Sequence, residues 1–279
     1  MKNLNKHIEN HYLKAGLFEE IVHRLRAQGI DINALTRSDI SGVDEFHVRG
    51  AAVSKELAQT ANIHNLKVLD VGCGLGGPSR MLADEFGCTV TGIDLSKEYI
   101  RTAQELSGLL HLDDKTRFIV GDATSLPFEN ASFDVVWTQH AQMNIPDKRK
   151  LYSEIHRVLK FGGYFLYYDI FKDDDKEVNY PMPWASSADH SFLWTTSAMK
   201  ALLLRLGFEK VTTTNQTKAG IAFFEHLFDE QRPTPPSKMG LDVLMGESTK
   251  PKLRNLMDHL KNKSLTLESG IYTKCALGN

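Results

Sequence analysis

Long apolar runs are scarce in this 279-residue sequence. No stretch approaches the ~20 consecutive apolar residues of a membrane-spanning helix. The opening segment, MKNLNKHIENHYLKAG, holds no apolar core of the kind a signal peptide needs. Cysteine is nearly as rare. Cys73, Cys88 and Cys275 are an odd count without metal-ligand spacing, which argues against a disulfide framework and against a bound metal. A reduced compartment, the cytoplasm, is therefore the expected location. Net charge is almost missing as well: 33 basic and 35 acidic residues leave -2 at pH 7. That balance gives no electrostatic case for nucleic acid or an anionic membrane as partner.

What is present is an ordinary globular composition, 42% hydrophobic and 24% charged. The length suits one α/β domain carrying a cap or an insertion. A helical cap is expected over 1–60, a core over 61–172, and a lid loop, closing strands and helical insertion over 173–279. In the cap, Ile8, Tyr12, Ala15 and Leu25 recur at roughly helical spacing, and Gly42 reads as a loop. From Lys67 to Ile170, the runs KVLDVG, TVTGIDL, RFIVGDA, FDVVWTQ and GGYFLYYDI read as strands. Between them PSRMLADEFG, SKEYIRTAQELSGLL and KRKLYSEIHRVLKFG carry helical periodicity. Such alternation predicts parallel βαβ units in a doubly wound α/β sheet.

Beyond Ile170 the polar, proline-punctuated FKDDDKEVNYPMPWASSADHSF reads as a lid over an active site. TTSAMKALLLRLG predicts a helix and FEKVTTTNQT a strand. IAFFEHLFDEQ and KLRNLMDHLKNK predict helices on either side of the turn-rich RPTPPSKMG. TLESGIYTKCAL predicts a last strand, returning antiparallel in hairpin fashion to close the sheet.

VLDVGCGLGGPS, from Val68 to Ser79, enters a glycine-rich turn in which Gly72, Gly74 and Gly77 fit G-x-G-x-x-G. That spacing usually marks a pyrophosphate on a helix N-terminus. Here Asp70, two positions before Gly72, would face the phosphate, and like charges that close cost several kcal/mol. No Lys-Ser or Lys-Thr follows the glycines, so a nucleoside triphosphate loop is excluded. A ligand presenting an ammonium group suits Asp70, and its carboxylate suits the start of the helix near Pro78. Asp94, twenty positions after Gly74, is placed for two ribose hydroxyls. Asp122, in GDA, is placed to accept from an exocyclic amine, or alternatively to cap its own turn. These carboxylates at successive strand ends suit a cationic, phosphate-free nucleoside, S-adenosylmethionine. The cofactor site is then Asp70, Gly72, Cys73, Gly74, Gly76, Asp94, Leu95, Asp122, Ala123 and Gln139, with Cys73 a small buried residue without chemistry.

VLDVGCGLGG, GIDLS, GDATSLPF, FDVVWTQ and RVLKFGGYFLYYD resemble, in order and spacing, the motif series of class I S-adenosylmethionine-dependent methyltransferases. DEFHVRG and PMPWA resemble the flanks of a small-molecule branch that holds sarcosine/dimethylglycine N-methyltransferases together with quinone and sterol methyltransferases. The resemblance implies a seven-stranded, mostly parallel sheet with its last strand antiparallel, an N-terminal helical cap and a C-terminal helical insertion. Phe161 departs from the family, which usually has proline before the two glycines. WTQHAQMNI is the fourth strand end, where ligands sit in doubly wound sheets. There His140 is the candidate base, since it titrates near neutral pH with an expected apparent pKa of about 6–7. Asn144 stands where related amine methyltransferases commonly have histidine, and Gln142 is a candidate substrate contact. His47 and Arg49 join the site through the resemblance, and Trp184 is a candidate aromatic wall. The expected activity is methyl transfer to a small molecule, first to an amine nitrogen, with S-adenosylhomocysteine as product. O- or C-methylation of a quinone or sterol is the alternative, and a silent cofactor-binding module is another. Hydride transfer is opposed by Asp70, and no Pro-Pro-Tyr-type motif follows FDVVWTQ.

Overall fold

Val68, Leu69 and Val71 are fully buried, as expected of a strand covered on both faces, and they form β1 (Lys67–Val71) inside the sheet. The computed structural model describes residues 16–229 and 239–275. Its seven strands run β3-β2-β1-β4-β5-β7-β6. They are β2 (Thr89–Asp94), β3 (Thr116–Val120), β4 (Phe133–Gln139), β5 (Leu159–Lys172), β6 (Phe208–Asn215) and β7 (Leu265–Lys274). The first five pair in parallel. The fold is the doubly wound, mostly parallel sheet that the alternation predicted.

The chain steps outward from β1 through β2 to β3, then returns to β4 on the other side of β1. That reversal opens a crevice at the carboxyl ends of β1 and β4. Helices cover both faces. Ahead of the sheet lie α1 (Leu17–Ala27), α2 (Arg37–Asp44) and α3 (Ala51–Thr60). Between its strands lie α4 (Gly77–Phe86), α5 (Lys97–Leu109), α6 (Lys148–Val158) and α7 (Thr196–Arg205). The helices α8 (Thr217–Phe228) and α9 (Thr249–Lys261), with a single helical turn at Asp242–Met245 between them, lie between β6 and β7. Among the described residues no helix is long and apolar enough to cross a membrane.

The structure corrects three expectations. Gly42 lies inside α2 rather than in a loop, because Asp39 accepts the Thr36 backbone N–H at 2.9 Å and starts a helix that carries the glycine along. β7 is antiparallel as expected, but it slots between β5 and β6 instead of returning as a hairpin. α8 begins at Thr217, earlier than its apolar run suggested. Ile8, Tyr12, Ala15 and most of RPTPPSKMG lie outside the described residues.

The N-terminal helices and the C-terminal insertion meet over the sheet's carboxyl edge. Leu17, Ile21 and Leu25 of α1 and Ile40 and Val43 of α2 pack with Leu75, Tyr99, Met239 and Val243. Each such buried side chain contributes about 1.5–3 kcal/mol. Arg24 of α1 also pairs with Asp242 at 2.5 Å. The segment expected to form a lid is fastened to the body: Asn255 donates to Asn179 and Pro181 carbonyls at 2.8 and 2.9 Å, and Lys148 Nζ donates to the Phe192 carbonyl at 2.7 Å.

Candidate active site

A cavity of about 560 Å³ occupies the crevice and continues beneath the cap. One end is polar and built from strand termini. Asp70, nearly fully buried, receives a hydrogen bond from Ser79 Oγ at 2.6 Å, and burial pushes its carboxyl up to about 7. Asp94 accepts the backbone N–H groups of Gly74 at 3.1 Å and Ser96 at 2.9 Å, so the glycine loop itself aims this carboxylate. A carboxylate has about four lone-pair sites, which leaves capacity for two hydroxyls. Asp122 accepts from Thr124 N–H and Oγ1 at 2.8 and 2.7 Å, realising the turn-capping alternative while still lining the cavity.

Two glycines are required for different reasons. Gly72 has φ +76°, and a Cβ there would sit 2.7 Å from the Ala141 Cβ. At Gly77 a Cβ would sit 2.4 Å from the Asp44 carbonyl oxygen. The last glycine of the motif therefore makes room for the backbone of the cap, not for a phosphate. Arg80, one turn further along α4, is fully buried and fixes the same junction. It pairs with Asp44 at 2.8 Å and donates to Ala103 O and Ser107 Oγ at 3.2 and 3.3 Å, as well as to Leu75 O.

The residues expected at the site divide clearly. Asp70, Gly72, Cys73, Gly74, Asp94, Leu95, Asp122, Ala123, Gln139, His140, Asn144, His47 and Trp184 all line the cavity. Gly76 does not; it is the left-handed residue before α4, backed by Phe118 and Arg80. Gln142 does not either, since its side chain is turned away to donate to Ile170 O at 2.8 Å. Arg49 points out of the site, donating to Glu56 at 2.5 Å and Gln216 at 3.0 Å.

His47 Nε2 lies 3.0 Å from both Gly50 O and Ser54 Oγ. A carbonyl only accepts, so Nε2 must carry the proton and is not a free base. Burial lowers this imidazole to about 4. Ser54 donates to Gln139 Oε1 at 3.1 Å, and Trp137 Nε1 donates to the same oxygen at 2.9 Å. Both bonds orient the Gln139 amide, whose Nε2 is buried without a partner. An unsatisfied buried donor costs about 1–3 kcal/mol, which a ligand carboxylate would recover. His140, at φ +46°, stacks at a tilt on Tyr168 with centroids 4.9 Å apart, and its Nε2 is likewise unpartnered. Burial and the neighbouring His47 hold it well below the ordinary histidine range, not within the expected 6–7. Asn144 Nδ2 donates to Trp184 O at 3.0 Å, binding the loop after β4 to the lid.

Sequence reasoning missed the other end of the cavity. Met143, Ile145 and Ile170 meet Phe223, Phe224 and Leu227 of α8 and Leu253 and Leu256 of α9 there. It also passed over Glu45, although that residue stands inside DEFHVRG. Glu45 is buried in the cavity wall, and burial with the Asp44 charge pushes its carboxyl well above the usual range. The acidic Asp44, Glu45, Asp70, Asp94, Asp122 and Asp242 all line the cavity, while no lysine or arginine does among the described residues.

Residues 69–167 match the methyltransferase domain family. The chain is 44% identical over 111 residues to 2-methyl-6-phytyl-1,4-hydroquinone methyltransferase of Synechocystis sp., covering 40% of this chain and 34% of that protein. It is 36% identical over 154 residues to chloroplastic tocopherol O-methyltransferase of Arabidopsis thaliana, covering 53% and 44%. The chain thus matches between a third and a half of the length of these curated relatives. Among solved structures, a putative sarcosine dimethylglycine methyltransferase from Galdieria sulphuraria shares the fold, with a TM-score of 0.66, 18% identity, and 85% and 93% of the two chains covered.

Proposed function

We propose that this chain, a class I methyltransferase by its fold and by the domain that residues 69–167 match, transfers a methyl group from S-adenosylmethionine to a small molecule. The observation that carries this reading is a single cavity joining carboxylates at strand ends to an apolar lobe. Asp94 would receive the ribose, Asp122 and Ala123 the adenine, and Asp70 with Gln139 Nε2 the two charged groups of the amino acid tail. The cofactor supplies an already activated methyl group. The protein then has to hold the acceptor dry and in line, which is worth several kcal/mol of barrier.

The sequence favours an amine nitrogen as acceptor atom, and the relatives are named for quinol and tocopherol substrates. Both kinds of acceptor suit the apolar lobe between α8 and α9. His140, neutral at working pH with a free Nε2, is the candidate for taking a proton there, and Asn144 holds the lid. With its pKa held low, His140 gives no acid limb at about pH 6–7 in the turnover profile. A limb in that window that vanishes in His140→Ala would contradict the burial.

Cofactor binding is the first test. S-adenosylhomocysteine should bind at micromolar strength, roughly -8 kcal/mol. Asp94→Ala should lose about 1.5–3 kcal/mol, the worth of hydrogen bonds to a charged acceptor. Calorimetry showing wild-type affinity in that variant would remove the ribose assignment.

A further inference from the structure

Among the described residues, six acidic side chains line the cavity and no lysine or arginine does, while burial lowers the pKa of its two histidines, His47 and His140. Arg80, beside the cavity wall, is committed to Asp44 and to three further acceptors. Arg49 is committed to Glu56 and Gln216 outside the cavity. A phosphate or carboxylate on the acceptor would enter a low-dielectric space in which no lysine or arginine of the described residues offers a counter-charge, an unfavourable arrangement for an anion.

One of the acidic groups is also unfinished. Glu45 Oε2 is buried and has no hydrogen-bond partner; His47 Nε2 lies 3.4 Å away but is turned to Gly50 and Ser54. The groups facing Glu45 are Asp44 and Arg37 of α2, Arg80 of α4, Asp70 of β1 and His47. The two arginines are drawn off by Asp44, Asp84 and Glu85. What Glu45 lacks is a donor, and an acceptor molecule lying along the apolar lobe can bring one.

We propose that the methyl acceptor is an apolar compound with a non-anionic, hydrogen-donating head, an amine or a hydroxyl, and that Glu45 Oε2 receives that head. The inference rests on the methyl-transfer reading and narrows it. It disfavours acceptors that carry a carboxylate, which would meet no lysine or arginine of the described residues in the cavity wall.

The test uses the full chain saturated with S-adenosylhomocysteine and three probes of equal tail: hexylamine, hexanol and hexanoate. Binding is measured by calorimetry and by thermal shift. Hexylamine and hexanol should bind at least tenfold more tightly than hexanoate. Glu45→Gln should weaken hexylamine at least tenfold while leaving the affinity for S-adenosylhomocysteine within twofold. Glu45→Asp, which keeps the carboxyl group, should recover part of the loss. Hexanoate binding as well as hexylamine, or no probe binding at all, overturns the proposal. So does a Glu45→Gln protein that loses S-adenosylhomocysteine instead, since the carboxylate would then serve the cofactor. Failure of the wild-type chain to bind S-adenosylhomocysteine would be a different result, striking the methyl-transfer reading itself.

Discussion

Arg80→Met is expected to destabilise the folded chain by about 3–5 kcal/mol, the cost of leaving a buried charge without its partner. Arg80 is fully buried, and it joins α4 to Asp44 of the cap, to the Leu75 carbonyl of the glycine loop and to α5. Methionine fills much of the space but offers none of these donors. The orphaned group would be Asp44, whose carboxyl burial already pushes upward with Arg80 in place. Without Arg80 its folded pKa rises further above the unfolded value, so the folded state holds a proton that the unfolded chain has released. The penalty therefore grows as pH climbs past about 4 and shrinks in acid. Adding Asp44→Asn to Arg80→Met should restore a substantial part of the loss, because the pair is coupled. Urea unfolding at pH 5 and pH 8 measures both effects. A loss below about 1 kcal/mol at pH 8 would show that the cap does not depend on this strut.

The region from β1 to β4 was legible because each strand there is a short apolar run that ends at or just before Asp, Gly or Gln. A parallel strand buried on both faces can hardly be written otherwise. The polar end of the cavity was legible for the same reason: Asp70, Asp94 and Asp122 are polar residues at the ends of apolar runs, so their position along the strand fixes their position in space. The place of β7 was not legible, since strand order depends on pairings across more than a hundred residues, such as Tyr164 with Thr273. Gly42 misled because a glycine inside a helix costs only about 1 kcal/mol, which capping and the burial of Ile40 and Val43 offset. Gln142 and Arg49 misled in another way. Their polarity was apparent, but not which way the backbone turned them: Gln142 donates to the Ile170 carbonyl and Arg49 to Glu56 and Gln216. Glu45 was hidden by its neighbours. In DEFHVRG the histidine and arginine drew attention, although the carboxylate is the group left without a partner.

Affinity for S-adenosylhomocysteine should fall as the solution becomes more acidic, by about tenfold between pH 8 and pH 6. The source is Asp70. Burial, aided by the nearby Asp94, raises its carboxyl to about 7, while the Ser79 hydroxyl opposes the rise only in part. Above about 7 the group is a carboxylate and attracts the ammonium of the amino acid tail. Below it, a proton occupies the place the ammonium needs and must be displaced on binding. In the free protein the sign runs the other way. The folded state keeps a proton on Asp70 that the unfolded chain releases near pH 4, so this residue costs more stability as pH rises from about 4 to about 7. The ammonium relieves that cost, and the thermal shift given by S-adenosylhomocysteine should accordingly be larger at pH 8 than at pH 6. Asp70→Asn is neutral throughout, so it should bind weakly at both pH values and lose most of the slope. Calorimetric titrations of the two proteins across this range decide the matter. An unchanged slope in Asp70→Asn would place the titrating group elsewhere in the cavity, with Asp94 and Glu45, both also pushed upward by burial, next in line.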